Sequence, residues 1–364
     1  MKQSKLAAMP GRGMFLALTI GSIILISSCK KDSASDPDTT PTTTQAELAS
    51  TNNLNSSFAT ASATTGYKIV GPISLYNKSN MTISGDSIAG GNVACIQLVN
   101  CKNIHITNCK LGHSKSFGIM VGNSSGITID YCNISNVATG ILALSCTGSI
   151  VVQHNQVLNT QGPFPQGGGI QFSAVNGTNN HIDYNRIQNV VGKCNPEDKI
   201  SIYKSNGTAS SPISITGNMI LGSGTSTSSC GITLGDQGGS YQIAQNNTIV
   251  NSGAGGMQIA GGTYLTMTNN SIYSAAFPWS HMGILIANYS GKPSNNLTVS
   301  YNKVNWTSGN PKDQYGGSKT RVMNAGSSLT SPTSTIIGAK TNTLGAAISA
   351  ALLPVKLVVF SLFQ

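Results

Sequence analysis

Short segments that begin and end with an apolar residue recur along the chain from about residue 66 onward. Each segment spans six residues, and a polar or small side chain occupies its fourth position. These fourth-position residues are Asp86, Cys109, Cys132, Asn155, Asn185, Asn218, Asn247, Asn270 and Asn302. Successive spacings are 23, 23, 23, 30, 33, 29, 23 and 32 residues. A fixed period of this length, lengthened by insertions, indicates a solenoid.

A second apolar segment follows in each repeat, usually opened by a Gly–Ile pair such as Gly169-Ile170 or Gly231-Ile232. Apolar and polar residues then alternate, which predicts strands with one face inside and one outside. No segment shows a helical period. The sequence therefore predicts an all-β fold, a single-stranded right-handed parallel β-helix of about ten rungs. An inward amide at the fourth position is expected to bond the next rung and form an asparagine ladder.

The two ends of the chain differ in composition from the repeats. Basic residues precede the 13-residue apolar stretch Met14–Ile26, which is too short to span a bilayer and is typical of a secretory signal. Ile26-Ser-Ser-Cys29 resembles a bacterial lipobox, which implies lipidation at Cys29. We expect a lipoprotein signal peptide over 1–28, a flexible tether over 29–65, the β-helix over 66–345 and an apolar cap or tail over 346–364.

Composition narrows the class of protein further. Only 9% of the 364 residues are charged and 41 are glycine, which disfavours helical bundles and coiled coils. The net charge of +10 comes from scattered bases without a dense stripe, so no nucleic-acid partner is predicted. We expect an exported monomer, attached to a membrane only through its lipid and facing the periplasm or the cell surface.

The repeats over about residues 67–345 resemble the pectate-lyase-like right-handed β-helix proteins. That resemblance implies the architecture, and it implies a class that includes polysaccharide lyases, glycoside hydrolases and non-enzymatic adhesins. The motifs of polygalacturonases and of classical pectate lyases are absent from the sequence. Segments such as Pro196-Glu-Asp198 and Leu234-Gly-Asp236 are similar to those of bacterial secreted β-helix proteins without a known activity.

The insertions flank the Gly–Ile strand on both sides, mainly in the central and later rungs. We interpret them as two walls of a groove whose floor is that strand, over residues 160–290. Neutral loop variation is the alternative. The floor and walls contain the predicted substrate-binding residues Gln171, Gln258, Trp279, Phe164, Asn288 and the nearby Arg186.

The same region contains the candidate catalytic residues. In a polysaccharide lyase, Lys204 would be the base and Tyr203 or His281 the acid. In a glycoside hydrolase, Asp236 would work with Asp198 or Glu197 as a pair of carboxyls. Lys204 and Asp236 are expected at equivalent positions of adjacent rungs, where the alternative role is a solvated ion pair. Asp130 and Asp183 share another column, where polar decoration of the surface is the simpler interpretation.

Metal and thiol chemistry is less supported by the sequence. Ca²⁺ could use Glu197, Asp198 and Asp236, but no known calcium motif is present, so no cofactor and no metal site is predicted. The five histidines are dispersed, which disfavours zinc. Cys194 and Cys230 lie in neighbouring loops, and a disulfide between them is a guess. The overall prediction is a lipid-anchored protein that binds polysaccharide in the groove, and the sequence leaves open whether it also cleaves the polymer as a lyase or a hydrolase. The alternative is a non-catalytic glycan-binding protein or an adhesin.

Overall fold

The strands wind around one coil and pair only in parallel. The computed structural model describes residues 66–163, 166–290, 292, 294–309, 322–324, 336–337 and 341–344. Within these residues every pairing between strands of successive rungs is parallel, and no α-helix occurs. The fold is an all-β right-handed parallel β-helix, which confirms the prediction from the repeat. The predicted signal peptide, tether and tail lie outside the described residues.

Each rung contributes one strand segment to each of three sheets, which we call A, B and C in chain order. Sheet A contains β1 (Lys68–Val70), β4 (Asp86–Gly91), the starts of β7 (Lys110–Gly122) and β9 (Asn133–Leu144), β11 (Gln156–Leu158), β14 (Arg186–Gln188), β17 (Met219–Leu221), β19 (Thr248–Val250), β22 (Ser271–Ser274), β25 (Lys303–Trp306) and β28 (Thr343–Leu344). Sheet B contains β2 (Ile73–Tyr76), β5 (Ile96–Val99), the ends of β7 and β9, β12 (Ile170–Ser173), β15 (Ile200–Asn206), the start of β18 (Cys230–Gln245), β20 (Gly255–Ile259), β23 (Met282–Ile286) and β26 (Val322–Asn324). Sheet C contains β3 (Ser79–Ser84), β6 (Lys102–Thr107), β8 (Ser125–Asp130), β10 (Ile150–Gln153), β13 (His181–Asp183), β16 (Ile213–Thr216), the end of β18, β21 (Thr263–Thr268), β24 (Asn295–Ser300) and β27 (Ile336–Ile337).

Alternate residues of the three sheets fill the interior of the coil. In sheet B, Ile141, Ile170, Ile200 and Ile232 are in register on successive rungs and are fully buried. Burying each isoleucine side chain contributes about 1.5–3 kcal/mol to folding. The column of aliphatic side chains therefore fixes the register and leaves every second residue on the outside.

The predicted asparagine ladder forms at the corner between sheets C and A. The Asn155 side-chain amide donates to Asn185 Oδ1 at 3.0 Å, and the same bond links each later pair through Asn302 to Asn342. Each Oδ1 also accepts the backbone N–H of the preceding ladder residue, as between Asn185 N and Asn218 Oδ1 at 2.9 Å. The ladder satisfies buried backbone groups at a bend where the strand pairing is interrupted.

Thiols replace the amide in the early rungs of this corner. Cys109 Sγ donates to Ile83 O at 3.8 Å and Cys132 Sγ to Ile106 O at 3.9 Å. Asn155 Nδ2 donates to the equivalent carbonyl of Ile129 at 2.9 Å. The two cysteines therefore occupy the ladder as small buried side chains.

Candidate functional site

The outward residues of sheet B form a polar row across four central rungs. Gln171, Ser201, Thr233 and Gln258 are in register on β12, β15, β18 and β20. All four are nevertheless buried, with at most 6% of their surface exposed. The insertion pattern predicts an open floor here, and that prediction is wrong because the connections on both sides enclose the strand.

The connections from sheet A to sheet B stack on one another and form the first wall, whose described residues are 159–163, 166–169, 189–199, 222–229, 251–254 and 275–281. The Asn195 N–H donates to Thr160 O at 3.0 Å, and the Glu197 N–H donates to Gly167 O at 3.1 Å. Ser228 Oγ donates to Glu197 Oε2 at 3.1 Å. The half-buried Glu197 carboxylate thus joins two layers of this wall.

The connections from sheet B to sheet C form the second wall, whose described residues are 174–180, 207–212, 260–262, 287–290, 292 and 294. Asn288, predicted to bind substrate, closes a turn of this wall by donating to Lys292 O at 2.8 Å. Its Oδ1 accepts from Ser290 Oγ at 2.8 Å. The amide of Asn288 is therefore engaged within its own loop.

Asp198 lies at the end of the first wall, where the chain enters β15. It is 3% exposed, and its Oδ1 accepts the Cys230 N–H at 2.9 Å. Burial raises the pKa of Asp198 to about 6, although the Thr233 hydroxyl, the Cys230 N–H and the charge of Lys199 each lower it. The Oδ2 atom has no hydrogen-bond partner of good geometry. Asp198 is therefore ionised at neutral pH and keeps one oxygen for a ligand.

Asp236 lies on the adjacent rung, near the second wall, and is fully buried. Neither of its carboxyl oxygens accepts a hydrogen bond of good geometry. Burial and the neighbouring Asp198 raise the pKa of Asp236 to about 8, and the charge of Lys204 and the N–H of Gln237 only partly offset this. At neutral pH Asp236 therefore holds a proton that it can donate.

The strand pairing places Asp236 opposite Tyr203 and not opposite Lys204. The register between β15 and β18 shifts after the Ser201–Thr233 pair because β18 contains an extra residue there. Lys204 is exposed, and its Nζ lies 5.0 Å from the centre of the Tyr203 ring. The expected equivalence of Lys204 and Asp236, and with it an ion pair between them, is wrong.

The remaining predicted site residues are spread around the site. His281 and Trp279 are half-buried in the first wall, and the Trp279 ring stacks on Phe277 with centroids 5.2 Å apart. Arg186 lies on sheet A, where it donates to Gln188 Oε1 at 3.1 Å, so the fold does not bring it to the row on sheet B. Phe164 and Cys29 lie outside the described residues.

Lys199 is a buried charged residue that the sequence reasoning did not single out. It is fully buried, and its Nζ donates to Ser223 Oγ at 2.9 Å and to Ser229 Oγ at 3.2 Å. A signal was present in the sequence, since Lys199 occupies the position before the sheet B isoleucine where most rungs have glycine.

Cys194 and Cys230 are free thiols, so the guessed disulfide is absent. Cys194 Sγ is directed to Val190 O at 3.0 Å, whereas Cys230 Sγ is directed to Gln258 Oε1 at 3.2 Å. Each thiol therefore contacts a different element.

The outward face of sheet C carries a second polar region. Asp130, Gln153 and Asp183 are in register on three rungs, as expected from the sequence. His105 Nε2 lies 2.9 Å from Asp130 Oδ1, and His181 Nδ1 lies 3.1 Å from Asp183 Oδ2. Both carboxylates thus contact a histidine on sheet C. This agrees with the interpretation that they are polar residues of the sheet surface and not a catalytic pair.

Further along sheet C, a shallow uncharged depression of about 360 Å³ lies between β18 and β24. Tyr241 and Tyr264 stack at its edge, with ring centroids 4.7 Å apart and planes 9° apart. Tyr264 is 48% exposed. The lining residues are Ala209, Pro212, Tyr241, Ile243, Tyr264, Thr266, Asn296 and Thr298.

In the described part of the chain, no three His, Cys, Asp or Glu residues lie close enough together to hold a metal ion. The same described residues contain no helix that is long and apolar enough to cross a membrane.

Comparison with known proteins supports the architecture. A family model described as "Right handed beta helix region" matches residues 55–187, less than half of the chain. No curated protein and no solved structure matches the chain significantly. The fold and the family model together define the class, a β-helix protein.

Proposed function

We propose that this β-helix protein binds polysaccharide over the outward face of sheet B and cleaves it with Asp198 and Asp236. The observation that carries the proposal is the pair of buried carboxyls on adjacent rungs, with pKa values of about 6 and about 8. At pH 7 one is a base and the other an acid, which is the division of labour that glycosidic bond cleavage requires.

The neighbouring side chains support a glycan ligand. Gln171 Nε2 and Ser201 Oγ are buried without a hydrogen-bond partner, beside the carboxyls and on the same face. Leaving such groups unpaired costs about 1–3 kcal/mol each, and sugar hydroxyls would pair with them. Because the row is enclosed, the walls must separate to admit a sugar ring. The export signal expected in residues 1–28 supports a polymer outside the cytoplasm.

The test is to incubate the protein with a panel of neutral and uronate polysaccharides. Release of reducing ends without ultraviolet absorbance would indicate hydrolysis by the two carboxyls. A rise in absorbance from unsaturated ends would indicate a lyase instead, with Lys204, Tyr203 and His281 as the next residues to replace. Asp198→Asn and Asp236→Asn are each expected to lower the hydrolytic rate by about 10²–10⁴-fold, the usual contribution of an acid or base.

Asp130→Asn is the matched control, because it also removes a buried carboxylate but on sheet C. It is expected to retain activity. Full activity in Asp236→Asn, with an unchanged circular dichroism spectrum, would contradict the catalytic role.

The Tyr241–Tyr264 depression favours a second candidate function, glycan binding without cleavage. A half-exposed tyrosine ring beside threonine and asparagine suits the apolar face and hydroxyl edge of a neutral sugar. Tyr264→Ala is expected to weaken retardation in a polysaccharide affinity gel by about 10-fold, the loss of one ring contact of about 1.5 kcal/mol. The exposed Tyr301 is a matched control, and equal retardation of Tyr264→Ala and Tyr301→Ala would exclude this surface.

A further inference from the structure

Lys199 is an exception in a column of glycines. The residue before the first inward aliphatic position of sheet B is glycine in six rungs and Cys95 in another, at Gly118, Gly140, Gly169, Gly231, Gly256 and Gly283. A Cβ atom on Gly140 would lie 2.2 Å from Gly169 O, and one on Gly231 would lie 2.4 Å from Gly256 O. A side chain at these positions would clash with the backbone of the next rung. A lysine in this column is therefore a local departure from the repeat that calls for a structural or functional explanation.

Burial makes the exception more costly. Lys199 is fully buried, and no carboxylate of the described residues lies within 4.0 Å of its Nζ. Two hydroxyls hold the ammonium group, from Ser223 and Ser229 of the first wall, and these hydroxyls lie 3.2 Å from each other. Hydroxyls orient a charge but do not neutralise it, and a buried cation that contacts no carboxylate directly is destabilising.

The ionisable groups around Lys199 show which side chain its positive charge affects most. Asp198 has the largest electrostatic effect on Lys199, followed by Cys230, Glu197 and Cys194. The neighbours of Asp236 are Asp198 and the exposed Lys204. The backbone geometry agrees with this. The Lys199 N–H donates to Cys230 O at 3.0 Å and the Cys230 N–H donates to Asp198 Oδ1 at 2.9 Å, so Lys199 and Asp198 are both held at the start of β18. Asp236 lies further along β18, opposite Tyr203.

We infer that Lys199 is a positioning residue whose fixed ammonium group keeps Asp198 as the ionised member of the carboxyl pair and leaves the proton on Asp236. The Cys230 N–H, bonded to Asp198 Oδ1 at 2.9 Å, acts in the same direction. This inference rests on the proposed function for its catalytic meaning, but the electrostatic coupling is measurable without any substrate.

The experiment is a carboxyl ¹³C NMR titration of aspartate-labelled protein. Lys199→Met removes the charge at similar length, and Lys199→Gly restores the residue of the other rungs. Lys199→Arg keeps the charge, and Lys193→Met removes an exposed lysine of the same wall. In the two charge-removing variants at Lys199, the protonated share of Asp198 at pH 6 is expected to rise from about one half to about three-quarters, roughly a threefold change in proton affinity, because the larger effects of the Thr233 hydroxyl and the Cys230 N–H remain. Lys199→Arg and Lys193→Met should leave it unchanged.

An unchanged Asp198 titration in folded Lys199→Met or Lys199→Gly would overturn the inference. If neither variant folds, Asp236→Asn decides, because it removes the carboxyl that also titrates near pH 8. The Asp198 signal of this variant must show a second inflection near pH 8, where Lys199 loses its proton, and a single inflection refutes the coupling. The acidic limb of the pH–activity profile should move to higher pH in Lys199→Met. A shifted titration without polysaccharide cleavage would refute the proposed function alone, whereas cleavage with an unmoved titration and profile would refute the inference alone.

Discussion

Asn218→Ala is expected to lower the free energy of unfolding by about 4 kcal/mol. The change removes the Asn218 amide, which donates to Ile182 O at 2.7 Å and to Asn247 Oδ1 at 3.0 Å. It also removes the oxygen that accepts the Asn185 N–H at 2.9 Å. Each buried group left without a partner costs about 1–3 kcal/mol, so three or four of them account for the loss. Urea unfolding followed by circular dichroism measures the change.

Asn295→Ala is the control, because Asn295 is exposed at the start of β24. It is expected to change the free energy by less than about 0.5 kcal/mol. If the two substitutions changed the free energy of unfolding equally, the hydrogen bonds of the ladder would contribute no more to stability than an exposed surface asparagine.

The stability of the protein is expected to fall as the pH rises from 6 to 8, and Asp236→Asn should remove most of this fall. The pKa of Asp236 is about 8 in the folded protein, against an ordinary value of 3.8. Between these values the unfolded chain binds fewer protons than the folded one, so stability is highest below pH 4 and is lost as Asp236 is forced to ionise. The loss is about 1.4 kcal/mol for each pH unit well below pH 8 and half as steep at pH 8, which gives about 2 kcal/mol from pH 6 to pH 8.

The neighbouring groups act outside this window. Asp198, with a pKa of about 6, has the same effect between pH 4 and pH 6. Burial lowers the pKa of Lys199 to about 8, so its contribution rises with pH between about 8 and 10.5. Glu197→Gln is the control and should retain the fall from pH 6 to pH 8 in urea unfolding. A stability profile that is flat over this range in the unmodified protein would show that Asp236 is not held protonated.

The candidate site was only partly predictable from the sequence. Counting from the Gly–Ile pair correctly placed Gln171 and Gln258 in one row, because the buried aliphatic side chains fix the register. The same count failed at Asp236, which lies opposite Tyr203 because of the extra residue in β18. A bulge has no periodic signature, since it depends on how two neighbouring strands bend.

The sequence by itself determined the β-helix, its rungs and the asparagine ladder. All three features depend on a period of about 23 residues that recurs in every rung. Because each repeat can bury its apolar side chains only against the next repeat, such a period is compatible with few folds other than a solenoid. Only the tertiary structure decided that the row on sheet B is enclosed, that Asp198 and Asp236 are buried, and that Lys199 is held by Ser223 and Ser229. These features arise where insertions of unequal length pack against one another. A repeat pattern contains no information about the space that such loops leave between them.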